Sequence, residues 1–393
     1  MQRQSVIVAA RRTPVGAFQG TLSTVSAPNL GAIVIKALLN KTNITFSHID
    51  EVIMGNVLSA GLGQAPARQA AIHAGLPNSV EALTINKMCG SGLKAVMMAD
   101  QVIRGGDADV VIAGGMESMS NAPYLLQNAR AGLRLGHGKM IDSMIHDGLW
   151  DAYNDTHMGN CAEMLSKDRD YTREAQDEFA VTSYKRAQTA QAEGVFDSEI
   201  VPVKIPQRKG DSVFISEDEE PGKARFDKIP TLRPVFEKDG AITAANASKL
   251  NDGAAVILVM SEEKAIKLRL TPIAGIVAQT SAAHEPEWFT TAPGKAIGKV
   301  LEKTNLSTND IDLWEINEAF SAVTMAAIDD FKIDPAKVNI YGGAVAIGHP
   351  IGASGARIFT TLMNGMTRTE TKYGLATLCI GGGEASAMIV EKV

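Results

Sequence analysis

The chain has 393 residues, of which 45% are hydrophobic and 21% charged, and this length suits two or three folded domains. Its formal net charge of -6 argues against a nucleic-acid partner bound through bulk electrostatics, but leaves room for a local basic pocket. No apolar run approaches the roughly 20 residues that cross a bilayer, so we expect no membrane association. The three cysteines fit a reducing compartment better than a disulfide framework, and we expect a cytoplasmic location.

Short runs rich in β-branched residues alternate along the chain with Ala- and Met-rich helical stretches. The predicted strands are Val6–Ala10, Glu51–Gly55, Asp109–Ala113, Ala254–Met260, Leu313–Ile316 and Ala376–Ile380. The predicted helices are Leu30–Asn40, Gly92–Arg104, Thr172–Glu193 and Glu318–Phe331. Thr172 is expected to cap the third helix. The alternation predicts an α/β protein in which helices cover layered sheets.

A weak internal repeat divides the chain into two halves. Residues 112–118 (IAGGMES) resemble residues 380–386 (IGGGEAS), and each segment is expected to follow a strand. Each segment also lies downstream of a Gly-rich turn, at 89–92 in the first half and at 348–355 in the second. The repeat therefore predicts that Cys89 and His349 face each other across a pseudo-two-fold axis.

Residues 120–246 differ from both halves because they are polar, highly charged and without long buried-strand patterns. This texture predicts an inserted loop domain that covers a rigid scaffold. We assign residues 1–119 and 247–270 to the first half and residues 271–393 to the second. Within the insertion, the acidic run Ser216–Gly222 is predicted to be a solvated turn.

Cys89 is the main candidate nucleophile. It lies in the segment NKMCGSGL at 86–93, directly before the second predicted helix, where the positive end of the helix dipole favours a thiolate. The neighbouring glycines let a carbonyl group approach the backbone, whose N–H groups can stabilise an oxyanion. An isolated cysteine is more often inert and buried, so this hypothesis depends on partner residues.

Two residues of the second half are candidate partners. His349, between Gly348 and Pro350, has a restricted backbone and is a candidate base for a thiol. Cys379 ends a strand before a Gly-rich turn and is a candidate second thiol, with core packing as the alternative. Cys161 lacks such a context and is predicted to pack in the core. No Cys-x-x-Cys or His-x-x-x-His pair occurs, so no metal site is expected.

Five segments together resemble the motifs of the thiolase family. They are NKMCGSG at 86–92, GGMESMS at 114–120, NEAF at 317–320, GGAVAIGHPIGASG at 342–355 and CIGGG at 379–383. They occur in the family's order and spacing, and the resemblance covers essentially the whole chain. It implies the thiolase fold, in which two repeated α/β halves form five layers, α/β/α/β/α, with an inserted loop domain over the active site.

The resemblance also implies a role for each candidate residue. Cys89 takes the acyl group as a thioester after His349 removes its proton, and Cys379 exchanges a proton with the α-carbon of a second acetyl-CoA. One oxyanion hole consists of His349 and a water held by Asn317, and the other of the backbone N–H groups of Cys89 and Gly381. The implied reaction is a ping-pong Claisen condensation or, in reverse, thiolytic cleavage.

The same resemblance predicts that coenzyme A lies along the inserted region. Ser248 matches the serine beside the pantetheine, with turn capping as the alternative role. Leu149, His157 and Met158 match residues that line the pantetheine tunnel and the acyl pocket. Phe289 matches a bulky wall that keeps the acyl site short. The implied ligands are acetyl-CoA, acetoacetyl-CoA and CoA, all as substrates or products, without a resident cofactor.

The HMG segment at 157–159 resembles that of family members acting on acetoacetyl-CoA, so we expect a reversible condensation of two acetyl-CoA molecules. The alternatives are a broad-range 3-ketoacyl-CoA thiolase of fatty-acid breakdown, a non-catalytic acyl-CoA-binding scaffold and a cysteine hydrolase. Potassium-activated members have a tyrosine where Pro221 stands here, which argues against a potassium site. Members form dimers or tetramers, and we expect a tetramer.

Overall fold

The structure is a computed structural model that describes residues 3–393. Its strands are β1 (Ser5–Arg12), β2 (Gly16–Ala17), β3 (Glu51–Gly55), β4 (Glu81–Ile85), β5 (Val110–Ser118), β6 (Tyr124–Leu126), β7 (Met140–Asp142), β8 (Trp150–Asp151), β9 (Thr156–His157), β10 (Val203–Ile205), β11 (Val213–Ile215), β12 (Asn251–Ser261), β13 (Ala274–Ala283), β14 (Leu313–Ile316), β15 (Tyr373–Ile380) and β16 (Glu384–Lys392). Its α-helices are α1 (Ala27–Thr42), α2 (Pro66–His73), α3 (Ser91–Gly105), α4 (Met158–Asp168), α5 (Arg173–Ala192), α6 (Glu262–Leu268), α7 (Ala292–Thr304), α8 (Ser321–Phe331), α9 (Ala344–Ile347) and α10 (Ser354–Thr369).

The long strands form one sheet in the order β14-β15-β16-β13-β1-β12-β5-β3-β4, and β2 adds to β12. In the first half, β1 pairs antiparallel with β12 and β12 antiparallel with β5, whereas β5–β3 and β3–β4 are parallel pairs. In the second half, β13 pairs antiparallel with β16 and β16 antiparallel with β15, whereas β15–β14 is a parallel pair. The two halves therefore repeat one topology, and only the pairs Val6–Gly275 and Ile7–Ala274 join β1 to β13.

Three apolar clusters show how the layers stack. The first cluster contains residues of α1 and α2 against one face of the first-half strands. The second contains α3 and α10 between strands of both halves, and the third contains α7 against the second-half strands. Because β5 is buried on both faces, its sequence is a continuous apolar run rather than an alternating one. The predicted five-layer α/β/α/β/α arrangement is confirmed.

The two central helices touch at two glycines near their N-termini. A Cβ on Gly92 would lie 2.7 Å from the backbone N of Ala356, and a Cβ on Gly355 would lie 2.4 Å from that of Leu93. Only glycine permits such an approach of backbone to backbone. The segments that precede α3 and α10 are thereby brought to one place.

The structure differs from two predictions, one about the repeat and one about where α8 begins. Residues 112–118 lie within β5 itself, whereas residues 381–383 form the turn between β15 and β16. The segment NEAF at 317–320 precedes α8 rather than opening it, because the Glu318 carboxylate is buried and accepts hydrogen bonds from Asn339 and Ser183. Thr172 does cap α5, since its side chain accepts a hydrogen bond from the N–H of Ala175.

Between residues 120 and 246 the strands have only two or three residues, and they pair as three small hairpins. The helices α4 and α5 of this region pack on α8. Cys161, on α4, is fully buried in an apolar cluster, as expected. The domain boundaries assigned from the sequence stay a prediction.

The prediction of a solvated acidic turn at 216–222 was wrong. Asp218 is buried, and its two carboxylate oxygens accept hydrogen bonds of 2.6 and 2.9 Å from the guanidinium of Arg12. The Nε of Arg12 donates to Glu199 at 2.6 Å. Glu219 accepts a hydrogen bond of 2.9 Å from the backbone N–H of Ala17. The acidic run therefore fastens the inserted region to the start of the chain.

We expect Asp218→Ala to lower the free energy of unfolding by about 3–5 kcal/mol, because removal of one member leaves a buried guanidinium without its bidentate partner. Denaturant unfolding monitored by circular dichroism measures the change. Glu217→Ala, at an exposed neighbouring position, should stay within about 0.5 kcal/mol of the parent protein. Equal effects of the two substitutions would contradict the assigned role of Asp218.

Candidate active site

A cavity of about 410 Å³ opens between the inserted region and the two halves. Seven of the ten predicted site residues line it: Cys89, Leu149, His157, Met158, Ser248, Phe289 and His349. The other three lie next to this lining: Cys379 packs on Met158 and Phe289, Gly381 lies beside Met158, and the carbonyl of Asn317 accepts a hydrogen bond from the N–H of the lining residue Ala319. The structure thus brings all ten together, while their roles stay predictions.

A strained turn carries Cys89 between β4 and α3. Met88 has a left-handed backbone with φ of +47°, an unusual conformation for a residue with a side chain. The hydroxyl of Ser91 stabilises the turn, because it accepts the N–H of Lys87 at 2.8 Å and donates to the carbonyl of Met88 at 2.7 Å. The turn presents the Cys89 side chain to the cavity at the N-terminus of α3.

Burial raises the pKa of the Cys89 thiol to about 11. The N–H groups of Gly381 and of Cys89 itself act in the opposite direction, and the carboxylate of Glu117 raises the pKa further. Cys89 does lie at the N-terminus of α3, but its pKa is raised rather than lowered as the sequence led us to expect, because desolvation is the largest effect on the thiol. The resting sulfur is a protonated thiol, with the two N–H groups of the expected oxyanion hole beside it.

The hydrogen bonds around His349 decide its tautomer. Its Nδ1 lies 2.6 Å from the Ser354 hydroxyl, which donates its single hydrogen to the carbonyl of Pro350 at 2.9 Å. Nδ1 must therefore donate to Ser354, so that Nε2 keeps its lone pair. Within residues 3–393, Nε2 is buried without a hydrogen-bond partner. The backbone N–H of His349 donates to Asn251 at 2.8 Å and fixes the segment.

The charge state of His349 is also decided by burial. Desolvation first, and the positive charge of Arg357 second, lower its pKa to about 3. A neutral imidazole therefore faces a neutral Cys89 thiol across the site. Transfer of the thiol proton to Nε2 is unfavourable in isolation, so we expect it only as the sulfur attacks an acyl group and the charge moves to the carbonyl oxygen.

Cys379 and Asn317 form the buried wall of the site. Cys379 packs in an apolar cluster with Met158, Phe289 and Phe320. Burial, and then the nearby Cys89, raise its pKa well above the ordinary value, so it holds a proton at rest. Both polar atoms of the Asn317 amide are buried and lack a partner within the described part of the chain. Such an amide needs water or a ligand as its partner, and the water-holding role of Asn317 stays a prediction.

The side of the cavity around His157 and Phe289 is apolar and aromatic. His157 caps α4 by accepting the N–H of Gly159 on its Nδ1 at 3.0 Å, and its ring stacks on Phe236 with centroids 4.8 Å apart. Burial lowers the pKa of His157, which is therefore neutral with Nε2 as its donor. Phe289 is almost fully buried behind this ring pair. Gly381 lies beside Met158, whose sulfur would be 3.4 Å from an added Cβ.

Several supporting residues were missed from the sequence. The buried carboxylate of Glu117 accepts hydrogen bonds of 2.8–3.2 Å from the side-chain amide of Asn56 and from the backbone N–H groups of Val57, Leu58 and Gly352. Burial raises its pKa to about 7 despite these donors. Glu117 thereby joins the loop after β3 to the loop that follows His349. Glu117 lies in the segment GGMESMS and Ser354 in the Gly-rich segment at 342–355, so both positions carried a signal, whereas nothing in the local sequence singles out Asn251.

Among residues 3–393, no group of three or more His, Cys, Asp or Glu side chains is arranged to hold a metal ion. Over the same residues, no helix has the length and apolar character needed to span a membrane.

The raised pKa of Cys89 predicts how the reactivity of its thiol depends on pH. Because the thiolate forms only as the pH approaches about 11, the alkylation rate of Cys89 by iodoacetamide should rise about tenfold per pH unit between pH 6.5 and 9.5, without levelling off. Peptide mass spectrometry measures the rate, and Cys161 in the same samples serves as the buried control. A plateau below pH 7 would show a resting thiolate instead.

Comparisons with known proteins agree with this geometry. Residues 5–263 match the thiolase N-terminal domain, and residues 270–392 match the thiolase C-terminal domain. An acetyl-CoA acetyltransferase of Cupriavidus necator is 54% identical over 98% of this chain and 99% of its own, and one of Pseudomonas aeruginosa is 51% identical over the same shares. The crystal structure of Acat5 thiolase from Ascaris suum in complex with coenzyme A is 44% identical, with a TM-score of 0.94 over 100% of both chains. The chain belongs to the thiolase family.

Proposed function

We propose that this chain is an acetyl-CoA acetyltransferase, an acyltransferase that condenses two acetyl-CoA molecules into acetoacetyl-CoA and CoA. The observation that carries the proposal is one cavity lined by Cys89 and by His349 with its unprotonated Nε2, with a second thiol, Cys379, packed against the lining residues Met158 and Phe289. The names of the Cupriavidus and Pseudomonas relatives support it. The coenzyme A complex of the Ascaris thiolase supports CoA thioesters as the ligands.

In the first half-reaction, the sulfur of Cys89 attacks the carbonyl of acetyl-CoA while its proton moves to Nε2 of His349. The N–H groups of Cys89 and Gly381 stabilise the oxyanion. The CoA thiolate then leaves and takes the proton of Cys379, which burial keeps protonated at rest. The products are acetyl-Cys89, free CoA, an imidazolium at His349 and a thiolate at Cys379.

In the second half-reaction, the Cys379 thiolate removes a proton from the methyl group of a second acetyl-CoA. His349 and a water held by Asn317 stabilise the enolate oxygen. The carbanion attacks acetyl-Cys89, and acetoacetyl-CoA forms as the sulfur leaves and recovers its proton from His349. Both thiols and the imidazole return to their resting states, so the cycle balances without a cofactor.

The protein's assembly and location are also part of the proposal. We propose a homotetramer, which is supported by exposed apolar side chains in and near the β6–β7 hairpin, namely Tyr124, Leu126, Leu133, Leu135 and Met140. We propose a cytoplasmic location, which is supported by the three unpaired cysteines.

Mass spectrometry after mixing with acetyl-CoA tests the reaction. One acetyl group should appear on Cys89, and Cys89→Ser should remain unlabelled. Cys379→Ser should still become acetylated, although more slowly, but should not condense. Asn317→Ala should keep the label and lose on the order of a hundredfold in turnover, because one oxyanion donor is missing.

Absence of acetyl-Cys89 in the parent enzyme would favour a non-catalytic binding scaffold. Normal condensation by Cys379→Ser would exclude the role of the second thiol while leaving that of Cys89 intact.

A broad-range 3-ketoacyl-CoA thiolase is the second candidate, since relatives from Staphylococcus aureus, 49% identical, carry the wider name probable acetyl-CoA acyltransferase. The buried Phe289 favours short acyl groups instead. We expect thiolysis of acetoacetyl-CoA to exceed that of ketoacyl-CoA chains of roughly 10–16 carbons. Phe289→Ala should raise the rate on the longer chains relative to acetoacetyl-CoA. Faster turnover of the long substrates by the parent enzyme would reverse the assignment.

A further inference from the structure

Lys249 is a half-buried residue that lines the active-site cavity, and the proposed reaction assigns no role to its ammonium group. Its side chain turns inward from the loop before β12. Its Nζ donates to the carbonyl of Ala247 at 2.8 Å and lies 3.3 Å from the carbonyl of Val345. The ring of Tyr184 faces the same nitrogen at 5.6 Å from its centroid.

The two carbonyls belong to two different segments that both border the active site. Ala247 precedes Ser248, which lines the cavity and whose N–H donates to Ala319 at 3.0 Å. Val345 lies in the single turn of α9, which ends at Ile347, two residues before His349. One ammonium group therefore joins the loop expected to contact the pantetheine to the segment carrying the proposed base.

Carboxylates from two further segments of the chain lie near this ammonium group. Glu220, in the acidic run, and Glu318, before α8, both favour its protonated form. Glu318 also accepts the N–H of Val345 at 3.1 Å, and Glu220 is itself near the positive charge of Lys223. Burial opposes the two carboxylates and lowers the pKa of Lys249 to about 8, so the group is charged at neutral pH and loses its charge as the pH rises above that value.

We propose that Lys249 is a positioning residue, a cation built into the chain that fastens the Ser248 loop to the His349 segment. The inference rests on the proposed function, because it assumes that CoA thioesters bind beside Ser248. Lys249 does not touch the reacting atoms. It acts by holding two segments at the spacing that substrate binding and proton transfer both require.

The surroundings of Nζ are also suited to a small free cation. Backbone carbonyl and carboxylate oxygens are the ligands that hard cations prefer, and an aromatic face attracts ammonium ions. If the side chain is shortened, these groups remain while their charge partner is lost. A potassium or ammonium ion from solution should then substitute for the missing group.

The test compares Lys249→Ala and Lys249→Arg with the parent enzyme and with Lys209→Ala, at an exposed lysine, as the matched control. Assays in sodium, potassium and ammonium chloride at equal ionic strength and pH 7.5 give kcat and the KM for CoA in thiolysis of acetoacetyl-CoA. Calorimetry gives the affinity for CoA independently of turnover. Melting temperatures show whether each variant is folded.

In sodium chloride, Lys249→Ala should bind CoA on the order of tenfold more weakly, the effect of losing one or two charge-assisted hydrogen bonds. Potassium or ammonium should restore most of this loss, and the parent and Lys209→Ala should respond to neither ion. Lys249→Arg should retain CoA affinity. The KM of the parent should rise above about pH 8, whereas that of Lys249→Arg should not.

A folded Lys249→Ala enzyme with parent kinetics, or with a defect of equal size in all three salts, would falsify the proposal. An inactive parent enzyme that binds no CoA would instead refute the proposed function. The two failures are therefore distinguishable.

Discussion

The contact between α3 and α10 is the constraint on which the rest of the molecule depends. Gly92 and Gly355 allow the two helices to meet backbone to backbone, and side chains at either position would push them apart. The turns before these helices carry Cys89 and His349, so the contact determines the distance across the site. A third close approach, between Gly115 and the carbonyl of Gly352, extends the same packing to β5. Outer helices and the inserted region are arranged around this centre.

Burial favours the neutral form of both thiols and of the imidazole in the site. It raises the pKa values of both reactive thiols and lowers that of the imidazole, so every group is neutral before substrate arrives. A cysteine–histidine ion pair would be nucleophilic at all times and open to oxidation. Under the proposed mechanism, Cys89 becomes charged only as it attacks an acyl group, so the thiol that waits between turnovers is the less oxidisable neutral form.

The sequence predicted what depends on local pattern and missed what depends on distant partners. The strands β3 and β14 were predicted with their observed bounds, since short apolar runs between polar turns are distinctive. Cys89 and His349 were found because Gly-rich segments surround them. Asp218 was misjudged, because nothing near it indicates that Arg12 lies across the fold. The contact of Lys249 was missed for the same reason, because only the fold brings its side chain to the carbonyl of Val345. The Gly-rich segment at 342–355 drew attention to His349, but nothing in it shows that Ser354 sets the tautomer of that histidine.

The place of β1 in the sheet has a consequence for how the protein is made. Ser5 through Arg12 pair with the strand ending at Ser261, and β13 supplies their other neighbour. At roughly 5–20 residues per second, synthesis of this partner takes on the order of tens of seconds after β1 leaves the ribosome. During that interval the apolar first strand has no native neighbour, and its exposed edge can pair with other chains. Because this pairing joins residues far apart in the sequence, we expect the sheet to fold slowly.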